Sequence, residues 1–224
     1  GWLPGSEMPD TFGWSFLQQT GDDRPAFGGL FKWIFGADWD WRGFDFGRDM
    51  ATVDAQLGGI VNDATRGSLA DYAARGGKLI VFHGLADTLV PPEQSVDFFA
   101  RHAAQMGGTD QLGENARLFM APGVMHCGGG TGPDAFNSTL GIPPRPPSAD
   151  PQHDLFSALI AWAENGETPD RIVATRFAEE GSGAIAMQRP LCPWPQKAVY
   201  RGFGSTDAEG SFRCEAPASA PGER

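Results

Sequence analysis

Two short phrases, set one helix length apart, constrain this chain more than anything else in it. The first is Phe82-His83-Gly84-Leu85-Ala86-Asp87, followed at once by Pro91-Pro92. The second runs from Leu118-Phe119-Met120-Ala121 through Pro122-Gly123-Val124-Met125 to His126-Cys127-Gly128-Gly129-Gly130. Each opens as an apolar, strand-like run and breaks into a turn that carries an ionisable residue. The spacing predicts strand, Asp loop, helix, strand and His loop, a parallel βαβ unit over Lys78–Gly130. Successive strands of an open parallel sheet point the same way, so both loops leave the same edge, where ligands bind. Asp87 and His126, distant in sequence, are thereby expected to be neighbours in space.

Neither residue says much alone. An Asp in a turn ordinarily bonds its own backbone, and a His beside glycines is ordinarily a loop residue. Their joint placement points to chemistry, because an Asp held against an imidazole fixes its tautomer and stabilises the imidazolium formed in catalysis. An α/β-hydrolase carries nucleophile, acid and histidine in that chain order, and Asp87 and His126 stand as its second and third members.

Around this unit the elements read as follows. Asp49–Leu57 is expected as a short helix ended by Gly58-Gly59, and Ser68–Ala74 as another closed by Gly76-Gly77. Lys78–His83 and Ala116–Ala121 are the expected strands. Pro91-Pro92 pre-sets the start of the helix between them. On that helix Val96, Phe99, Ala103 and Met106 share a face, and Gly107-Gly108 stops it. Gly128–Ala149, rich in proline, reads as an irregular segment forming either a linker or a wall of the site. Asp150-Pro151 is the expected N-cap and first residue of a helix bearing Leu155, Leu159 and Trp162, with Gly166 as its stop. Ile172–Phe177 is a short strand, the tail beyond it is turn-rich, and Ala216–Arg224 is expected to be disordered.

Composition narrows the function classes. The chain has 224 residues with 41% hydrophobic content, enough for one sizeable core. A net charge of −11 argues against nucleic acid and anionic membrane surfaces as partners, and no apolar run approaches a transmembrane span. The opening Gly1-Trp2-Leu3-Pro4 resembles neither a signal peptide nor a natural start, so the chain is expected to begin mid-protein. The three cysteines have no metal spacing. Cys192 and Cys214 sit where a disulfide would staple the tail, as in an oxidising compartment, secreted or periplasmic. Cys127 is then odd, and either pairs with another chain or stays a free thiol.

Five of the 7 tryptophans lie in the first 46 residues: Trp2, Trp14, Trp33, Trp39 and Trp41. Phe12, Phe16, Phe27, Phe31, Phe35, Phe44 and Phe46 join them, without a clean helical or strand period. The region is either a small aromatic core under loops or a lid that shows ring faces to a planar substrate. Asp38-Trp39-Asp40, Asp45 and Asp49 do not follow a calcium-loop spacing and read as a solvated acidic turn.

The phrases HGLADTLVPP and RLFMAPGVMHCGGG resemble the acid and histidine motifs of the tannase and feruloyl esterase family, which includes bacterial terephthalate monoester hydrolases. PGSE near the start, FDFGRD at Phe44–Asp49 and RPLCPWPQ at Arg189–Gln196 are also similar to it. The resemblance implies α/β-hydrolase architecture: the C-terminal part of a parallel sheet, with the end of an inserted lid domain. It divides the chain into the end of the lid (1–46), hydrolase domain (47–188) and a disulfide-stapled tail of that domain (189–224). It makes Asp87 the catalytic acid and His126 the base. It implies that Cys127 bonds the cysteine preceding the nucleophilic serine. No Gly-x-Ser-x-Gly elbow occurs here and no serine follows a cysteine, so nucleophile and oxyanion hole are expected on a separate N-terminal part, the chain's principal partner.

The expected activity is therefore carboxylic ester hydrolysis, with small galloyl, feruloyl or similar aromatic esters as substrates. Trp14, Trp33 and Leu89 are the candidate substrate-binding residues. No cofactor or catalytic metal is expected, although the family allows a structural calcium elsewhere in the lid. The competing expectation is a secreted, non-catalytic binding module on a hydrolase scaffold, which a lone, folded native 23.9 kDa chain would favour.

Overall fold

The computed structural model describes residues 28–61, 67–88, 90–141, 144–179 and 181–217. Its centre is the anticipated unit: β1 (Leu79–Gly84), then helix α4 (Glu93–Met106), then β2 (Ala116–Ala121). The two strands are parallel, in register from Leu79 opposite Ala116 to Gly84 opposite Ala121. Alternation along the strands sorts their side chains to two faces. On one, Leu79, Val81, Leu118 and Met120 pack with Phe99, Ala103 and Leu112. On the other, Ile80, Phe82, Phe119 and Ala121 meet Val124, Phe136, Leu155, Ala158, Ile172 and Leu191. Helix α4 thus covers one face, while α6 (Leu155–Asn165), β3 (Ile172–Phe177) and β4 (Ile185–Leu191) cover the other.

Ahead of the unit lie α1 (Gly28–Phe35), α2 (Asp49–Val61) and α3 (Ala70–Ala74). Short α5 (Thr109–Gly113), unforeseen from sequence, leads into β2; it follows Gly107-Gly108, read there only as a stop. The expected end of α2 at Gly58-Gly59 is wrong: the helix carries through both glycines to Val61. Glycine costs a helix about 1 kcal/mol, too little to break one by itself. The aromatic side chains of this region pack mainly on one another. Phe31 stacks on Trp39 at 5.2 Å between ring centroids, and Phe44 meets Phe31 edge-on at 5.5 Å. The acidic turn is not wholly solvated: Asp49 is buried and accepts hydrogen bonds from the Asp45 N–H (2.9 Å) and from Arg48 Nε (2.6 Å).

Two further corrections concern the second half. The cap of α6 is Asp154, not Asp150. Asp150 closes the preceding turn by accepting from the N–H groups of Gln152 and His153, and Pro151 belongs to that turn. The tail is also more ordered than its turn residues suggested. After β4 come β5 (Lys197–Tyr200) and β6 (Phe212–Glu215), an antiparallel pair bridged by the Cys192–Cys214 disulfide to the end of β4. Segment 193–194 lies along β2, with the Trp194 N–H donating to the Leu118 carbonyl at 2.8 Å. Of the expected disordered end, 218–224 lies outside the described residues.

Asp154 is 1% exposed, and its carboxylate takes four donors: the N–H and hydroxyl of Ser138 (2.8 and 2.9 Å) and those of Ser157 (3.2 and 2.8 Å). Burial alone would raise its pKa, but these donors outweigh it and hold the carboxyl below its usual value. The folded pKa being the lower one, this contribution is complete above the unfolded pKa of about 4 and is lost as pH falls through the folded value. Asp154→Ala should therefore cost about 1–2 kcal/mol at pH 7 and less at pH 3, as read from denaturant unfolding at the two pH values. Gly84, at the exit of β1, supplies a second test. A Cβ there would collide with the carbonyl oxygens of Val124 and Met125. Gly84→Ala should destabilise the protein by about 1–3 kcal/mol in the same unfolding experiment.

Candidate active site

β1 and β2 both end at one edge of the sheet, and the loop leaving each is short and heavily bonded. After Gly84, the Leu85 N–H donates to the Ala121 carbonyl and the Ala86 N–H to the Val124 carbonyl, both at 2.9 Å. The acid loop is thus bonded along its backbone to the start of the histidine loop. Asp87 follows, buried at 3% exposure, with its Oδ1 accepting the Val90 N–H at 3.0 Å.

The histidine loop is pinned on itself. Gly123 O accepts from the N–H groups of Thr131 (2.9 Å) and Gly132 (3.0 Å), and Met125 N–H donates to Gly129 O at 3.3 Å. Asp134 accepts the Gly129 N–H at 2.9 Å. From β3, Arg176 Nη1 donates to the carbonyls of Gly130 (2.8 Å) and Gly132 (3.1 Å). His126 stands in the turn so enclosed. Cys127, next to it, takes left-handed backbone at φ 67°, uncommon for a non-glycine residue, and sharply turns the chain.

The two loops bring His126 Nδ1 to 2.9 Å from Asp87 Oδ2. A carboxylate only accepts, so Nδ1 carries the proton and Nε2 keeps its lone pair. The imidazole side chain is 33% exposed and the carboxylate side chain 4%, so the acid is shielded while the ring can meet a ligand. Cys127 is a free thiol here. Burial, and secondarily the Asp87 charge, push its pKa up, which keeps it protonated. A buried Asp and an imidazole turned by it into a lone-pair base can together accept and return a proton at one sheet edge.

Of the residues singled out from sequence, the structure brings Asp87 and His126 together and joins Cys192 to Cys214. Trp33 stands 67% exposed on α1, and among the described residues nothing pairs it with the Asp87–His126 site. Trp14 and Leu89 lie outside the described residues. Among the described residues no group of three or more His, Cys, Asp or Glu is placed to hold a metal ion, and none of their helices is long and apolar enough to cross a membrane. Sequence reasoning assigned nothing to His83, whose Nε2 lies 3.2 Å from Asp87 Oδ2. The available signal was a polar ring directly after the apolar run Leu79–Phe82. Arg176, on a strand distant in sequence, carried no signal at all.

The family model described as tannase and feruloyl esterase matches residues 46–215. The mono(2-hydroxyethyl) terephthalate hydrolase of Piscinibacter sakaiensis is 36% identical over 180 residues, which cover 78% of this chain and 26% of that protein. A probable feruloyl esterase B-2 of Aspergillus terreus is 29% identical over 188 residues, 82% of this chain and 34% of that one. Among solved structures, an esterase from Aspergillus oryzae superposes with a TM-score of 0.77 at 27% identity, covering 90% of this chain and 40% of that one. Feruloyl esterase B from the same organism shares the fold, with a TM-score of 0.74 at 23% identity over 88% of this chain and 38% of its own. The chain spans about a quarter to a third of the curated relatives' length. Its α/β-hydrolase-like fold and matched residues place it: the chain belongs to the tannase and feruloyl esterase family.

Proposed function

We propose that this chain supplies the acid and base of a serine carboxylic ester hydrolase acting on esters of aromatic acids. The observation that carries the proposal is the 2.9 Å contact between His126 Nδ1 and the buried Asp87 carboxylate, at the common edge of two parallel strands. The serine is supplied by a segment outside this sequence, which has neither a Cys-Ser pair nor a Gly-x-Ser-x-Gly elbow. His126 Nε2 takes the proton of that serine hydroxyl as its oxygen attacks the ester carbonyl. Asp87 stabilises the imidazolium. The proton then passes to the departing alkoxide, leaving an acyl-serine and an alcohol. Water, deprotonated by the same Nε2, attacks the acyl-serine; the proton then passes from Nε2 to the leaving serine oxygen as the aromatic acid is released.

The aromatic-acid preference is supported by the names of the relatives, a terephthalate monoester hydrolase and a feruloyl esterase. Within the chain, the ring cluster of Phe31, Phe35, Trp39 and Phe44 is compatible with the end of a lid over planar acyl groups. We assign Cys127 a disulfide to the cysteine preceding the nucleophile, because such a bond fixes the distance between serine and base. The Cys192–Cys214 bridge supports an oxidising location, secreted or periplasmic.

In the complete protein, His126→Ala and Asp87→Asn should each lower kcat for a hydroxycinnamate ester by roughly 10⁴-fold while circular dichroism stays native. Near-full activity in either variant would remove that residue from the mechanism. The 224-residue chain expressed alone should turn over no aromatic ester. Turnover that a serine-reactive inhibitor blocks would instead place the nucleophile within it. Peptide mapping of the non-reduced complete protein should recover Met125-His126-Cys127 crosslinked to a Cys-Ser peptide. Recovery of Cys127 as an alkylated free thiol would count against that bond.

A further inference from the structure

His83, near the end of β1, has both ring nitrogens occupied although its role lies outside the proton transfer itself. Nδ1 is 2.7 Å from Ser95 Oγ on α4, and Nε2 is 3.1 Å from the Val90 carbonyl oxygen. A carbonyl oxygen cannot donate, so Nε2 carries the proton. Nδ1 then holds the lone pair, and the Ser95 hydroxyl donates to it. The protonated Nε2 also lies 3.2 Å from Asp87 Oδ2, the oxygen that faces His126 Nδ1. His126 thus donates to Oδ2, while His83, in the opposite tautomer, donates to the Val90 carbonyl and sets the same N–H edge beside that oxygen. Val90 completes the ring of contacts: its N–H donates to Asp87 Oδ1 while its C=O faces His83.

From this geometry we infer that His83 is a positioning residue for the acid. It is fixed as the Nε2–H tautomer by the Val90 carbonyl, with the Ser95 hydroxyl donating to Nδ1, and it holds the Asp87 carboxylate in the orientation that His126 needs. The inference rests on Asp87 being the acid of the proposed reaction. The terminal torsion of a carboxylate has broad wells, so each contact beside it narrows the orientations open to Asp87. His83 contributes in two ways: its N–H edge lies 3.2 Å from Oδ2, and its bond to the Val90 carbonyl anchors the residue whose N–H donates to Oδ1. The side chain is 11% exposed, so this contact meets little competition from water.

The test uses the complete protein and an alkyl ester of a hydroxycinnamic acid. His83→Phe keeps the ring volume but removes the donor. It should lower kcat by about 10- to 100-fold, the scale on which a displacement of up to about 1 Å is felt, and leave KM within about twofold, since the interaction acts on the chemical step and not on substrate binding. His83→Gln can place an amide N–H where Nε2 was and should regain most of the lost kcat. A packing role for the ring would give the reverse order, with Phe active and Gln impaired, and would overturn the inference. If His126→Ala and Asp87→Asn are inactive while His83→Phe keeps its kcat, the inference fails and the proposed reaction stands. If Asp87→Asn is active, the reading of the acid fails first. Should His83→Phe not fold, ¹⁵N chemical shifts of the wild-type imidazoles decide: protonation at Nε2 of His83 is expected, and protonation at Nδ1 overturns the inference.

Discussion

The register of β1 against β2 is the constraint on which the site depends. Gly84 lies opposite Ala121, so the two strands stop together and their loops begin side by side. Side chains alternate across a strand, and a slip of β2 by one residue would turn Phe119 out of one core and Leu118 out of the other. It would also dissolve the Leu85–Ala121 and Ala86–Val124 hydrogen bonds that tie the loops. The two apolar layers that stabilise the sheet are thus what sets the distance between Asp87 and His126.

Electrostatics at the sheet edge follow from unequal burial. Asp87 is shielded from water and surrounded by N–H groups, whereas a third of the His126 side chain is open. A charge is felt more strongly where water is excluded, so the carboxylate acts on the imidazole with little screening while the ring stays open to solvent. The fixed dipoles do not need to reorganise when a positive charge appears on the ring, which is the condition for stabilising it at small cost.

Much of this was legible in the sequence because its strongest signals are local. The apolar runs, the glycine and proline stops and the order of Asp87 before His126 predicted β1, α4 and β2 and brought the two residues together. Signals that depend on competition between neighbours were misread. Asp150-Pro151 is as good a helix start as any by local preference, yet Asp154 wins because Ser138, across a turn-rich loop, donates to it twice. Gly58-Gly59 looks like a stop but lacks the strength of one. In the tail, β4 to β6 were hidden by their turns, and only the pairing of distant segments reveals them. His83 was visible but uninterpretable, because its role rests on Val90 and Ser95, which no period or motif links to it.

The tail supports the sheet edge at which the Asp87 and His126 loops meet. The outer side of β2 is not left open: Pro193 bridges to Phe119, and the Trp194 N–H bonds Leu118 O. That segment follows Leu191, itself buried in the same core as Phe119. Cys192, between the two, is tied to Cys214 across a separation of 22 residues. A crosslink closing a loop of that size removes roughly 3 kcal/mol of chain entropy from the unfolded ensemble. Its effect falls on the strand that carries the histidine loop, since fraying of 193–194 would expose the Leu118 and Phe119 backbone. Arg176 fixes the far side of that same loop from β3, whose partner strand is β4. The His126 loop is thereby held from β2 on one side and by Arg176 of β3 on the other, and its ring can stay exposed without its backbone being loose.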